Sequence, residues 1–273
     1  MADGSESAQD DAPDHIVAEY PDRAFFEHRE IFLHHLMSDL SAQLAGSGGG
    51  ASTCLDIGSN TGRYTDLLTK HGLVASGVDY SAELVERARI RYPDLSFEEG
   101  NAEALPYPDN SFDGAASFGV LQLLPNWQTA ISEMVRVIRP GGAAILETNR
   151  AFPVAEIMLK SASYLARGTM SLKDIGRFIR AHRLGPKRPA EEGLRKFAPK
   201  HLLKVLRTLP VESVALHDPR KFGYMHDFMW AVVLQKAQPT NENSHPSLRV
   251  SSCDDCRRHG VSSPGTAEAT VDN

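Results

Sequence analysis

The sequence predicts a doubly wound α/β fold, in which a mostly parallel sheet is covered by helices on both faces. Short apolar runs alternate with helical patterns between residues 53 and 147, and this alternation is typical of parallel strands joined by crossover helices. The first run leads into a turn bracketed by two glycines and then into a helix. The chain has 273 residues, 41% of them hydrophobic, which suits one domain of about 200–230 residues.

Five strands and their connecting helices account for the first half of the chain. A helix over residues 20–45 has apolar side chains at helical spacing and ends at the glycine-rich stretch 46–50. The predicted strands are Thr53–Ile57, 74–78, 95–97, Phe112–Phe118 and 143–147. The predicted helices between them are 62–71, a helix capped by Ser81 and stopped before Pro93, and 127–138.

The pattern changes after residue 150. Residues 151–208 contain successive helical stripes without a strand, including a helix that starts at Pro199, and we expect them to form a helical cap between strands 5 and 6. Two last strands, 211–216 and 228–234, are close enough in sequence to pair antiparallel. We therefore expect one domain over 20–236, with a disordered acidic arm at 1–19 and a disordered polar tail at 237–273.

Charge and cysteine content exclude several classes of protein. The net charge is −6 and the pI about 6.0, which is not typical of nucleic-acid binders, although residues 160–207 carry thirteen Lys or Arg against three acidic residues. Three cysteines make no disulfide framework. Without an apolar leader or an apolar run of about 18 residues, we expect a cytoplasmic protein that does not span a membrane. The tail has one CxxC pair, whereas a structural zinc site needs four ligands, so no metal site is predicted.

The glycine turn after strand 1 indicates a cofactor site, because free backbone N–H groups gather at the start of the following helix. The dinucleotide fingerprint G-x-G-x-x-G would need glycines at positions 58, 60 and 63. The chain has Gly58, Asn60 and Arg63 there. The spacing therefore argues against a nicotinamide or flavin cofactor.

The same turn, read as Asp56-x-Gly58-x-Asn60-x-Gly62, resembles motif I of the class I S-adenosylmethionine-dependent methyltransferases, D-x-G-x-G-x-G. Asn60 replaces the middle glycine, and Asn is the residue other than Gly that best accepts a left-handed backbone. The resemblance continues over about residues 51–149. It includes Asp79, the stretches Gly100-Asn101-Ala102-Glu103-Ala104-Leu105-Pro106 and Ser111-Phe112-Asp113, and Arg136-Val137-Ile138-Arg139-Pro140-Gly141-Gly142.

The resemblance implies a Rossmann-like, seven-stranded sheet with an antiparallel last strand, and S-adenosylmethionine as cofactor with S-adenosylhomocysteine as product. It places Asp79 on the ribose hydroxyls and Asn101 at the adenine edge, where Ala102 could offer only its backbone N–H. Asp56 either supports the turn or caps the next helix, and Asn101 could instead be an ordinary turn residue. The cofactor-binding residues that the resemblance implies are Asp56, Gly58, Asn60, Gly62, Asp79, Tyr80, Asn101, Ala102 and Phe118.

The methionine carboxylate of such a cofactor needs a cationic or polar partner. The resemblance places the first helix over the cofactor, and that helix carries Tyr20, His28 and Arg29. Arg63, at the glycine turn, is a further candidate.

The acceptor of the methyl group is predicted to be a small molecule, and the basic residues of the predicted cap favour an anionic or sugar-like one. Its partners would be Gln122, Arg177 and Arg180, and the general base is open among His182, His201, His226 and Tyr224. Three alternatives remain: an NAD-dependent oxidoreductase, an RNA methyltransferase and a non-catalytic S-adenosylmethionine-binding protein. No aromatic interleaving of the basic residues supports RNA.

Overall fold

The computed structural model describes residues 23–45, 51–149, 166, 199–217, 229–239 and 248–252. The predicted acidic arm, residues 151–165 and 167–198 of the predicted cap, and residues 240–247 and 253–273 of the predicted tail lie outside the described residues.

The described strands form one eight-stranded sheet with the order β3-β2-β1-β4-β5-β7-β6-β8. β7 runs antiparallel to both of its neighbours, and the other neighbouring pairs are parallel. The α/β prediction with a mostly parallel sheet is therefore confirmed. The strands are β1 Thr53–Ile57, β2 Val74–Asp79, β3 Ser96–Glu99, β4 Phe112–Phe118, β5 Ile138–Asn149, β6 Val211–His217, β7 Met229–Lys236 and β8 Arg249–Ser252.

The eighth strand corrects two predictions, the strand count of seven and the wholly disordered tail. β8 pairs parallel with β6, with Val214 opposite Val250, and the preceding Leu248 packs against the core. The segment is four residues long and flanked by polar sequence, so its pattern alone does not indicate a strand. The predicted antiparallel pairing of strands 6 and 7 is confirmed, with Val214 opposite Leu234, but the antiparallel strand is not the last one.

The helices cover both faces of the sheet. One face is covered by α1 (Arg23–Ala45) and α2 (Arg63–Lys70), and α3 (Ala82–Arg91) packs on Phe97 of β3. The opposite face is covered by α4 (Trp127–Val137) and α5 (Pro199–Leu206), which follow a short 3-10 helix at Leu121–Leu123. The core side chains on the first face include Leu33, Leu36, Leu40 and Ile145, and those on the second include Leu55, Ile131, Met134 and Leu206.

α5 belongs to the body of the domain, although the sequence placed it in the cap. Its Leu202 and Leu206 are buried in the same cluster as Val214 of β6 and Leu234 of β7. Burial of these leucines against the sheet stabilises the helix position by roughly 1.5–3 kcal/mol each. Among the described helices, none is both long and apolar enough to cross a membrane.

The sheet order fixes where a ligand can bind. β1 and β4 are parallel neighbours, with Leu55 opposite Ala115, and the chain proceeds from β1 toward one edge of the sheet and from β4 toward the other. Such a reversal opens a crevice at the carboxyl ends of the two central strands. The turn after β1 and the segment after β4 therefore lie side by side at this crevice.

Candidate functional site

The turn after β1 is built on left-handed backbone at three alternate positions. Gly58, Asn60 and Gly62 have φ of +79°, +50° and +86°. The N–H groups of Gly58 and Ser59 both donate to the carbonyl of Val78, at 2.7 and 3.0 Å. The predicted left-handed Asn60 is therefore observed, and Asn at this position preserves the turn that the middle glycine would form.

Close packing explains why glycine is needed on either side of Asn60. A Cβ added at Gly58 would lie 2.2 Å from Cγ2 of Val120, in the segment after β4. A Cβ added at Gly62 would lie 2.6 Å from the ring of Phe97 on β3. The two glycines therefore let the turn approach its neighbours on both sides.

Asp56 supports the turn from inside the core. Its side chain is 1% exposed and accepts a hydrogen bond from the hydroxyl of Thr65 on α2 at 2.7 Å. Burial raises the pKa of Asp56 to about 7, against the hydrogen bond from Thr65, and the nearby charge of Asp79 raises it further. The contact joins β1 to the first turns of α2, which favours the predicted supporting role over direct contact with a ligand.

Asp79 ends β2 at the crevice and links three segments. One carboxylate oxygen accepts from the N–H of Asn60 at 2.9 Å and the other from the N–H of Ser81 at 3.0 Å. Each carboxylate oxygen can accept a second hydrogen bond, so the group can hold the turn and still receive two hydroxyl donors. Tyr80 follows and is 79% exposed, which leaves its ring open to a ligand.

Asn101 lies in the loop after β3, as predicted, but its side-chain oxygen already has a partner. This oxygen accepts from the N–H of Glu103 at 2.9 Å, and the N–H of Ala104 donates to the Asn101 carbonyl at the same distance. Ala102 is 8% exposed. The loop is therefore a closed turn, which is the alternative interpretation of Asn101, and Asn101 itself is exposed.

Two acidic side chains fix this loop to α4, and the sequence did not single them out. Glu103 accepts two hydrogen bonds from Asn126, and Glu133 accepts from the N–H of Leu105 at 2.8 Å. Arg136 donates to Glu133 and to the carbonyls of Leu105 and Tyr107, and this pairing holds the pKa of Glu133 below its usual value. Arg136, the first arginine of the R-V-I-R-P-G-G stretch, thus positions the loop after β3.

The segment after β4 has a different arrangement from the prediction. The ring of Phe118 is 6% exposed and packs on Tyr64 of α2, with ring centroids 5.0 Å apart. Gln122 is 8% exposed and its oxygen accepts from the hydroxyl of Thr148 on β5 at 3.1 Å. Both side chains are therefore buried and contact other protein groups.

Glu147 is a buried acidic residue near the crevice that sequence reasoning used only as the end of a strand. It lies opposite Phe118 in the β4–β5 register and is 0% exposed. Its backbone carbonyl accepts from the N–H of Gly119 at 3.2 Å. An acidic residue within the apolar strand run that precedes residue 148 was the signal that could have identified it.

Arg63 pairs with Glu30 of α1, so its guanidinium is engaged by the protein rather than held open for a ligand carboxylate. This contact joins the first residue of α2 to the helix that covers the same face of the sheet. Tyr20 and the side chains of His28 and Arg29 lie outside the described part of the chain.

The residues predicted for the acceptor side are mostly outside the described ranges. His182, His226, Tyr224, Arg177 and Arg180 are in this group. His201 is described and is exposed on α5, whose buried residues face the sheet. Among the described residues, no group of three or more His, Cys, Asp or Glu side chains is placed to hold a metal ion.

A comparison with family models identifies the central part of the chain. Residues 55–146 match the model described as "Methyltransferase domain", and these residues contain the turn, Asp79 and the loop after β3. These residues therefore form a methyltransferase domain.

Curated relatives match about a third to a half of the chain. A demethylmenaquinone methyltransferase of Renibacterium salmoninarum is 37% identical over 93 residues, which are 34% of this chain and 39% of that protein. The O-methyltransferase resE of Aspergillus sclerotiorum is 30% identical over 132 residues, covering 46% of this chain and 49% of that protein. The chain thus matches less than half of the length of either relative.

Solved structures support the fold of the methyltransferase domain. A SAM-dependent methyltransferase from Methanosarcina mazei has a TM-score of 0.52 at 18% identity, covering 72% of this chain and 97% of that one. The [4+2]-cyclase SpnF has a TM-score of 0.54 at 19% identity, covering 76% of this chain and 80% of that one. Since one neighbour is named a cyclase, the fold alone does not specify the reaction.

Proposed function

We propose that this chain transfers the methyl group of S-adenosylmethionine to a small-molecule acceptor. The observation that carries the proposal is the carboxylate of Asp79 at the crevice. It holds the Asn60 turn and still has one acceptor position on each oxygen. A ribose with two neighbouring hydroxyls matches these two positions.

The remaining residues of the crevice suit the other parts of the cofactor. The left-handed turn at residues 58–62 lies at the start of α2, where the helix end favours a carboxylate. The exposed ring of Tyr80 and the loop at Asn101 and Ala102 lie at the ends of β2 and β3, where an adenine would fit beside the ribose. When bound, S-adenosylmethionine supplies an electrophilic methyl group.

The protein would then hold the acceptor in line with the carbon–sulfur bond and accept its proton where the acceptor is a hydroxyl or an amine. We propose that residues from the 150–198 stretch, including Arg177 and Arg180, contribute to the acceptor side. His182, His201, His226 and Tyr224 are the proposed candidates for the base. Phe118 and Gln122 would act through the shape of the wall.

A small acceptor is favoured by the names of the relatives, which include a demethylmenaquinone methyltransferase and an O-methyltransferase. The identity covers only 34% and 46% of this chain, so it supports the type of reaction and leaves the acceptor itself open. The acidic net charge of −6 argues against RNA as the acceptor.

Two measurements test the proposal. Titration calorimetry of the full chain with S-adenosylhomocysteine, S-adenosylmethionine and NAD should give binding of the two sulfur ligands and no response to NAD; the reverse result would replace the methyltransferase by an oxidoreductase. Incubation with methyl-labelled S-adenosylmethionine and an extract of the source organism should then label the small-molecule fraction. Label in RNA would make RNA the acceptor, and binding without label in any fraction would support a non-catalytic protein.

A further inference from the structure

Glu103 makes a two-point contact with Asn126. The backbone N–H of Asn126 donates to Oε1 of Glu103 at 2.8 Å, and its side-chain amide donates to Oε2, also at 2.8 Å. The two residues are 23 positions apart in sequence. Hydrogen bonds to a charged carboxylate are shorter and stronger than those between neutral groups. This contact therefore holds the loop after β3 at a fixed position relative to the start of α4.

The same residue takes part in the turn after β3. The backbone N–H of Glu103 donates to the side-chain oxygen of Asn101 at 2.9 Å. Asn101, Glu103 and Asn126 thus form a continuous hydrogen-bonded series. The orientation of the Asn101 side chain therefore depends on where Glu103 is held.

Asn126 immediately precedes α4, and its side chain does not cap that helix. The carboxylate of Glu103 instead lies at the N-terminal end of α4, where negative charge is stabilised by the helix. Four residues earlier, Gln122 is bonded to Thr148 of β5. The segment between β4 and α4 is therefore fixed to β5 at one point and to the loop after β3 at another.

We propose that Glu103 is a positioning residue that holds the loop after β3 in place relative to the segment after β4. In this way it sets how strongly the proposed cofactor site prefers adenine over other bases. The inference rests on the proposed function. Loosening the contact should let the Asn101 turn shift relative to the crevice. Recognition of the adenine amino group should then weaken more than binding of the rest of the cofactor.

The test compares two ligands that differ at the 6-amino group of the base and at the adjacent N1, which becomes an N–H donor in the 6-oxo base. Calorimetry gives the dissociation constants of S-adenosylhomocysteine and of S-inosylhomocysteine, its 6-oxo counterpart. We expect Glu103→Ala to weaken S-adenosylhomocysteine binding by roughly 3- to 10-fold and S-inosylhomocysteine binding by less, so the ratio of the inosyl to the adenosyl dissociation constant should fall. Glu103→Gln, which keeps one acceptor oxygen, should give an intermediate ratio.

Asn126→Ala removes the side-chain half of the contact from the other end. It should change the ratio in the same direction, and the double variant Glu103→Ala/Asn126→Ala should be no worse than Glu103→Ala alone, because both changes remove one interaction. Glu86→Ala, at an exposed carboxylate of α3 that is paired only loosely with Arg89 at 3.7 Å, is the matched control and should leave the ratio unchanged.

The outcomes separate the inference from the function on which it rests. A ratio that stays at the wild-type value in Glu103→Ala and Asn126→Ala would overturn the inference, even if the melting temperature falls, because a purely structural role lowers both affinities alike. If Glu103→Ala does not fold, Glu103→Gln and Asn126→Ala decide the question. If the wild-type chain binds neither S-adenosylmethionine nor S-adenosylhomocysteine, the proposed function fails and the inference with it.

Discussion

The N–H of Asn60 donates to the carboxylate of Asp79 at 2.9 Å, so the residue that ends β2 also holds the turn after β1. The two halves of the crevice are therefore coupled through one side chain. A ligand that binds Asp79 stabilises the turn, and a change at Asp79 disturbs both.

Replacing Asp79 should weaken cofactor binding and the fold together. Asp79→Ala removes the acceptors for Asn60, Ser81 and the proposed ribose, so we expect S-adenosylhomocysteine binding to lose about 1–3 kcal/mol. Asp79→Asn keeps one acceptor oxygen and should lose less. Calorimetry and thermal melting give the two effects, with Asp94→Asn at an exposed carboxylate as control. Wild-type affinity in Asp79→Ala would remove this residue from the site.

Gly58→Ala should be more destabilising than its backbone conformation alone explains. A left-handed backbone costs a non-glycine residue about 1–2 kcal/mol, and the new Cβ would also lie 2.2 Å from Val120. Gly72→Ala is a matched control, because Gly72 has φ of +85° but only Ser41 Oγ, at 4.0 Å, near its added Cβ.

Measured by urea unfolding, the free energy of unfolding of Gly58→Ala should therefore be well below that of Gly72→Ala. In a Val120→Ala background, Gly58→Ala should lose this excess and cost about as much as Gly72→Ala, which leaves only the cost of the left-handed backbone. Equal destabilisation by the two single variants would mean that Val120 moves aside freely and does not fix the turn.

Asp56 should make the folded state less stable as the pH rises. Its pKa is about 7 in the folded chain and 3.8 in the reference state, so the folded protein binds the proton more tightly. The stability from this proton is complete below about pH 4 and is lost as the pH rises to about 7, by an amount on the order of a few kcal/mol at most.

Asp56→Asn removes the titrating group and should accept the Thr65 hydrogen bond through its amide oxygen. As the pH rises from 4 to 7, the free energy of unfolding of wild type should fall relative to that of Asp56→Asn. Other groups titrate in both proteins and largely cancel in this difference. A difference that is constant with pH would show that Asp56 is ionised in the folded chain throughout this range.

Ser59 and Thr65 should respond in opposite directions to loss of their hydroxyl groups. The Ser59 hydroxyl is buried and makes no hydrogen bond within the described residues, so Ser59→Ala should raise stability by about 1 kcal/mol. The Thr65 hydroxyl donates to Asp56, so Thr65→Val should lower it by about 1–3 kcal/mol. Chemical denaturation measures both, and destabilisation by Ser59→Ala would reveal a partner for its hydroxyl.

Local patterns predicted the strands and the turn because their causes are local. β1 and β4 have the predicted bounds, and the left-handed Asn60 follows from the intrinsic preferences of asparagine. β5 begins at Ile138, five residues before the predicted start at 143, because Pro140 and the glycines after it lie within the pairing with β4, which contains a register shift.

Side-chain partners that are distant in sequence were not predictable in this way. Asn101 and Gln122 were expected to face a ligand, yet each has a protein partner, in Glu103 and Thr148. The role of Glu103 depends on Asn126, 23 residues away, and no periodicity connects them. The motif predicted that the loop after β3 belongs to the site. Only the three-dimensional structure shows which of its side chains are bonded to other protein groups and which are left for a ligand.

The parallel pairing of β8 with β6 has a consequence for the order in which the chain is made. β6 and β7 leave the ribosome before β8, so until β8 arrives the outer side of β6 presents unpaired backbone groups to other nascent chains. Synthesis that stalls after β7 would release a domain with its cofactor crevice formed and one border open. We expect chaperones and proteases to bind such truncated products more than the full-length domain, because in the full-length domain β8 pairs with the backbone groups that β6 would otherwise expose.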